Sequence, residues 1–277
     1  NHKTPVSERA WAVQNYLPKR VMFGEAYHDV PYDMLMLQTE SQQCKLQGQE
    51  YTLPNLRSAG GVCAMQADFA ARVGKSMGVP AEYVRGDVAT GGAGHAWVMW
   101  IELKNLTRTG INFSLESKGR FDGYEDLKMY VGELQHPQSG KWITDRELEL
   151  RLHTVGLNPE AKRQADYVMA AYPMIRNERK LSVDEQVDYL ERVIKLSPGN
   201  EAAWTALAEI SAAGNLTKKH ERLMKRTILP SLFNTFANFP DFTWTIFDNL
   251  IQYEEDIKEQ IELYQQLLGV YVSAGRP

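Results

Sequence analysis

The stretch Gly60-Gly61-Val62-Cys63-Ala64-Met65-Gln66 decides how the rest of this chain is read. Two glycines lead into a cysteine, and an alanine-rich stripe follows: Ala67, Ala70, Val73 and Met77, flanked by Phe69 and ending at Gly78-Val79-Pro80. Apolar residues recurring every three to four positions predict a helix over 64–77. Cys63 then stands at the first turn of that helix, where unpaired backbone N–H groups and the helix dipole favour an anion. A thiol in that position is a candidate nucleophile, because the thiolate is the reactive form.

Two further residues follow in chain order. His95 lies in Gly94-His95-Ala96-Trp97-Val98, and Glu116 in Phe113-Ser114-Leu115-Glu116. Cysteine, histidine and acid, each at an element end, match a nucleophile, its base and the group that orients the base. After Pro80 the period of the chain changes. Residues 81–84 predict a short strand closed by Arg85-Gly86-Asp87, with Arg85 and Asp87 read as a salt-bridged strand end. Thr90-Gly91-Gly92-Ala93-Gly94 is a loop, and it is no phosphate loop, since no Gly-Lys-Ser/Thr follows. Residues 95–103 form the strongest strand pattern, apolar on both faces and therefore central in a sheet. Residues 105–110 make a turn and residues 111–115 the return strand. With the turn centred near Asn105, antiparallel pairing sets His95 opposite Glu116.

Upstream, residues 5–17 predict a helix with Ala10, Trp11, Val13 and Leu17 inward. Residues 21–37 are interrupted by Pro31, and Tyr27, Tyr32, Met34 and Leu37 either line a groove or plug a core edge. Downstream, Tyr124, Leu127, Tyr130, Val131 and Leu134 have helical spacing over 121–134, and residues 142–145 close the first unit. Turn formers at 154–160 place a boundary, giving a first domain of residues 1–155 and a second of 156–277. The second reads as nearly all helix, over 161–175, 182–196, 201–212, 216–228, 242–253 and 257–272, in short pairs separated by turns such as Ser197-Pro198-Gly199-Asn200. Ser182-Val183-Asp184-Glu185 is a capping box. Glu254, Glu255 and Asp256, with Glu259 and Glu262, read as a solvated helix face.

Composition narrows the function classes. The 277 residues are 43% apolar and 24% charged, a globular balance. A net charge of −4 without a basic tract argues against nucleic-acid binding. No apolar run reaches the ~20 residues of a membrane helix. Histidines at 2, 28, 95, 136, 153 and 220 form no HExxH, and the two cysteines, Cys44 and Cys63, form no CxxC, so neither zinc nor another cofactor is expected. Both cysteines are expected free, since a bridge would silence Cys63; Cys44 and His28 read as structural, and Gln66 as a polar helix residue. Nothing fixes a compartment. A leader removed ahead of Asn1 would imply a secreted or periplasmic one.

Three segments together resemble the transglutaminase-like branch of the papain-type thiol enzymes. They are Gly61-Val62-Cys63-Ala64, then Met77-Gly78-Val79-Pro80-Ala81-Glu82-Tyr83-Val84-Arg85-Gly86, then Gly94-His95-Ala96-Trp97-Val98. The family opens a helix with its cysteine, enters a strand through a GIPARYVxG pattern and carries HAWV on the next. The resemblance covers about residues 50–120. It implies an α+β core in which the cysteine helix packs on an antiparallel sheet, with Cys63 and His95 catalytic. The family's third residue is an aspartate; here Glu116 takes its place, with Asp122 the alternative. In the helical part, Pro198 with Ala203-Trp204 and Leu207 resembles one tetratricopeptide-type unit, but the ~34-residue period is not sustained.

The expected chemistry is thiol-dependent hydrolysis of peptide, isopeptide or other amide bonds through Cys63, His95 and Glu116. The oxyanion would be held by the Cys63 N–H and a second donor from Gln49, Tyr51 or Asn55. Transfer of the acyl group to an amine, cross-linking proteins through glutamine, uses the same site; Trp97, Trp100 and Tyr51 would form the shielding tunnel or simply pack the core. The third expectation is an inactive scaffold whose helical part binds a protein partner. In the first two the substrate is a protein or peptide.

Overall fold

The computed structural model describes residues 4–19, 23–39, 45–46, 48–86, 94–120, 132–136 and 139–273. Val6–Tyr16 form α1, Met34–Gln38 α2, Leu53–Ala59 α3 and Cys63–Ser76 α4. The stripe read from the sequence is the buried face of α4: Ala67, Phe69, Ala70, Ala71 and Val73 are all in the core. Its small residues let neighbours close in, and a Cβ on Gly74 would stand 2.7 Å from the Phe23 ring. Trp11, Tyr16 and Phe69 meet edge to face at about 6 Å, joining α1 to α4.

A five-stranded antiparallel sheet comprises β1 (Ala81–Gly86), β2 (His95–Leu106), β3 (Ile111–Lys118), β4 (Glu133–Gln135) and β5 (Trp142–Thr144), in the order β3-β2-β1-β4-β5. The chain is therefore α+β. β2 pairs with β1 from Ala81↔Trp100 to Gly86↔His95. Residues 96–100 of β2 are buried throughout. Strand alternation divides them between two cores. Ala96, Val98 and Trp100 join the cluster around α4, whereas Trp97 and Met99 pack with Val84, Leu134 and Ile143. Leu134 thus belongs to a strand, not to the helix expected over 121–134; at Glu133–Gln135 pairing with β1 and β5 overrides the helical spacing. Residues 121–131 of that helix, Cys44 and Asp87 lie outside the described residues.

Residues 154–157 are also not a turn. Asp145–Leu157 form one helix, α5, and Asn158 then caps α6 (Pro159–Arg179) by accepting from the Ala161 N–H. The compact units are residues 1–104 with 113–149, and 105–112 with 150–277. In the second unit follow α7 (Val183–Leu196), α8 (Glu201–Ala212), α9 (Lys218–Leu223), α10 (Leu229–Thr235), α11 (Pro240–Leu250) and α12 (Ile257–Ser273). The Ser182–Glu185 capping box opens α7, and Trp204, fully buried, donates its indole N–H to the Pro198 carbonyl at 2.7 Å. A π-helical turn at Met224–Ile228 links α9 to α10. It carries Lys225 to Glu221, Glu254 and Glu259, at 2.8, 2.8 and 3.0 Å. The Glu254 side chain is only 9% exposed, so that carboxylate is a packed ion-pair partner rather than part of a solvated face. Among the described residues no helix is long and apolar enough to cross a membrane.

Candidate active site

The site begins with a backbone crossing. Gly61 donates to the Pro31 carbonyl and Asp33 donates to the Gly61 carbonyl, both at 2.9 Å, so that Tyr32 forms a parallel bridge with Gly61. Gly60 has φ +88°, and a Cβ on it would overlap the Pro31 carbonyl oxygen. Glycine is required there both for its left-handed backbone and for the close approach. This crossing feeds the chain into α4 with Cys63 as its first residue and brings Tyr32 beside it.

Cys63 is a free, half-buried thiol. Burial pushes its pKa up, but the hydrogen bond to His95 and the backbone N–H groups of Ala96 and Ala64 outweigh burial and hold it below the ordinary thiol value. For His95, burial disfavours the charged ring, while the bond to Cys63 and the Gly119 carbonyl outweigh it and raise the pKa. Both shifts run towards thiolate and imidazolium. His95 Nε2 lies 2.5 Å from the Gly119 carbonyl oxygen. A carbonyl only accepts, so Nε2 carries a proton in either charge state, and Nδ1 is the nitrogen left for the sulfur.

Two supports hold that arrangement. Gly119 has φ +82°, and a Cβ on it would overlap the Tyr27 ring. The buried Tyr27 in turn donates its hydroxyl to the Ala96 carbonyl at 3.1 Å, beside His95. The His95 ring also stacks on Trp97, with centroids 5.9 Å apart and planes at 29°.

Cys63 and His95 are therefore brought together, and Glu116 is not. Its Oε1 accepts from Lys104 at 2.8 Å and from Ser114 at 2.7 Å, and these partners hold the carboxyl below its usual range. The reason is the turn. Thr107 and Gly110 close the hairpin, with the Thr107 N–H on the Gly110 carbonyl and the Gly110 N–H on Thr107 Oγ1. The turn thus lies beyond Asn105, which moves Glu116 along the ladder away from His95, and its carboxylate pairs with Lys104 instead. Asp122, the alternative acid, lies outside the described residues. The ring nitrogen assigned to an acid faces a main-chain carbonyl.

Two of the expected oxyanion donors, Asn55 and Tyr51, have other partners. Asn55 donates its amide to the Glu50 carbonyl at 2.9 Å and the Tyr51 hydroxyl bonds Asp68, while the main-chain N–H of Gln49 donates to the Leu46 carbonyl. Tyr32 stands closer. Its hydroxyl accepts from the Cys63 N–H and is hydrogen-bonded to the thiol; burial first, then the sulfur, pushes its pKa up. The sequence signalled this residue only as a groove candidate, because its pairing with Gly61 is non-local. Tyr83, within electrostatic reach of Cys63, also lines a cavity of about 490 Å³ walled by Tyr51, Asp68, Arg72, Lys75 and Trp142.

No family model, curated protein or solved structure matches this chain. Among the described residues no group of three His, Cys, Asp or Glu side chains is placed to hold a metal. What remains is a polarised sulfur at a helix N-terminus, a ring with a fixed tautomer and a tyrosine hydroxyl on the nucleophile's own N–H. These are the parts that acyl transfer through a thioester uses.

Proposed function

We propose that this chain is a transglutaminase-like, papain-type thiol hydrolase that cleaves peptide, isopeptide or other amide bonds through an acyl-enzyme on Cys63. The observation that carries the proposal is the hydrogen-bonded Cys63–His95 pair with Nε2 held by Gly119. The Cys63 thiolate attacks the amide carbonyl carbon and forms a C–S bond, and the carbonyl electron pair moves onto oxygen. That oxyanion takes the Cys63 N–H, with the Tyr32 hydroxyl turned to donate as the second partner. The His95 imidazolium gives its Nδ1 proton to the leaving amine as the C–N bond breaks. Water then attacks the thioester, His95 accepts its proton, and carboxylate and thiolate are released.

Hydrolysis needs no second substrate site, which favours it over amine transfer from the same thioester. The test is to incubate the chain with glutamine-containing and isopeptide-linked peptides, with and without a primary amine. Cys63- and His95-dependent release of ammonia or of the lysine-bearing fragment, unaffected by added amine, supports hydrolysis. Amine incorporation moves the assignment to cross-linking. A chain that turns over none of these, and whose Cys63→Ala variant is indistinguishable from it towards thiol-directed acylating probes, overturns the proposal and leaves a binding scaffold.

A further inference from the structure

Gly119, whose carbonyl holds His95, is bracketed by two ion pairs of unequal burial. Lys118 reaches Glu25 at 2.8 Å at an exposed position. Arg120 reaches Asp145 at 3.1 Å, and the Asp145 side chain is only 4% exposed. Asp145 opens α5. Its N–H donates to the Gly132 carbonyl and its Oδ1 accepts from the Arg146 N–H, at 2.8 and 2.9 Å. Its Oδ2 is buried without a hydrogen bond among the described residues, so the guanidinium is its charge partner. Glu149, also on α5, is the carboxylate nearest in effect, and it opposes Asp145 ionisation.

Arg120 adjoins both supports of His95. It follows Gly119 directly in the chain, and its guanidinium lies over the Trp97 ring at 5.8 Å, the same ring on which His95 stacks. Burying such a pair is costly in desolvation, and an apolar pair of equal volume is often no less stable. What such a pair can supply is direction, since fixed charges set a main-chain position that apolar packing leaves free to slide.

We propose that the Arg120–Asp145 pair is a positioning device that holds the Gly119 carbonyl and Trp97 against His95. An ion pair one layer behind the ring would then do, through the backbone, what an acid does by direct contact in a Cys-His-acid triad. The inference rests on reading Cys63 and His95 as a catalytic pair. Arg120 and Asp145 touch no substrate in it; they are positioning residues.

The experiment uses the full chain and follows alkylation of Cys63 by iodoacetamide across pH, alongside thermal unfolding. Arg120 is a third exposed, so Arg120→Met is expected to fold, and Asp145→Asn is a near-isosteric second variant. Both are expected to move the acid limb of the alkylation profile to higher pH and to slow alkylation at neutral pH roughly tenfold, as expected when a charge-assisted hydrogen bond is weakened. Arg120→Lys is expected to restore part of the profile. Variants that melt earlier but keep the wild-type profile overturn the proposal alone, because a merely structural pair lowers stability without moving the titration. A wild-type profile that matches an ordinary thiol and ignores His95→Ala overturns the thiol-pair reading and the proposal with it.

Discussion

Gly119→Ala is the most informative single change near His95. The new methyl would stand 2.6 and 2.7 Å from two Tyr27 ring carbons, where carbon atoms need about 3.5 Å. Tyr27 cannot yield freely, since it is buried and its hydroxyl is tied to the Ala96 carbonyl. The backbone of residue 119 must therefore move by about 1 Å, and a carbonyl 2.5 Å from Nε2 leaves hydrogen-bond range or loses its alignment. A hydrogen bond from a charged donor is worth about 1.5–3 kcal/mol, which at 1.36 kcal/mol per decade is roughly a 10- to 150-fold fall in thiolate reactivity at neutral pH. Alanine at a positive φ adds roughly 1–2 kcal/mol of lost stability. The assay is the second-order rate of iodoacetamide with Cys63, measured where thermal unfolding shows the variant still folded. A folded Gly119→Ala protein whose thiol reacts within about twofold of wild type would show that the Gly119 carbonyl is not what charges the ring.

Three other outcomes follow from the same geometry. Tyr32→Phe is expected to leave thiol alkylation nearly unchanged but to lower kcat for amide cleavage by about 10²- to 10³-fold, the usual effect of losing an oxyanion donor; steady-state kinetics on a cleaved peptide check it. Glu116→Gln is expected to change kcat/KM by less than about twofold in the same kinetics, since its carboxylate is held by Lys104 and Ser114 and not by His95. Trp204→Ala is expected to destabilise the helical unit by about 3–5 kcal/mol, the range for emptying a fully buried aromatic site, seen as a lower denaturant midpoint.

What the sequence could tell was set by range. The start of α4 and the course of β2 follow from local periodicity, and Gly60-Gly61 mark the close approach before Cys63. The hairpin turn was harder to place, because Asn105, Thr107 and Gly110 are all turn formers; the Thr107 hydroxyl, by accepting the Gly110 N–H, decides among them. That displacement separates Glu116 from His95. β4 and β5 have three residues each, too few to show a period, and they form because β1 offers an edge. The group on His95 Nε2 is a main-chain carbonyl, which no residue type announces. Tyr32 and Asp145 reach the site through contacts between distant segments, Tyr32 with Gly61 and Asp145 with Arg120.

The direct test of the account is the ultraviolet titration of the Cys63 thiolate in wild type and in His95→Gln. Stability linkage is not involved; the signal follows the charge state of the folded protein. A thiol held below its ordinary value by an imidazolium that is itself held above its own shows thiolate absorbance at lower pH than an ordinary thiol does. That absorbance is expected in wild type, with its retreat to the ordinary range of about 8.5 or above in His95→Gln, where burial acts unopposed by the imidazolium. Thiolate absorbance that emerges only in the ordinary alkaline range in wild type, or that is the same in both proteins, would contradict it.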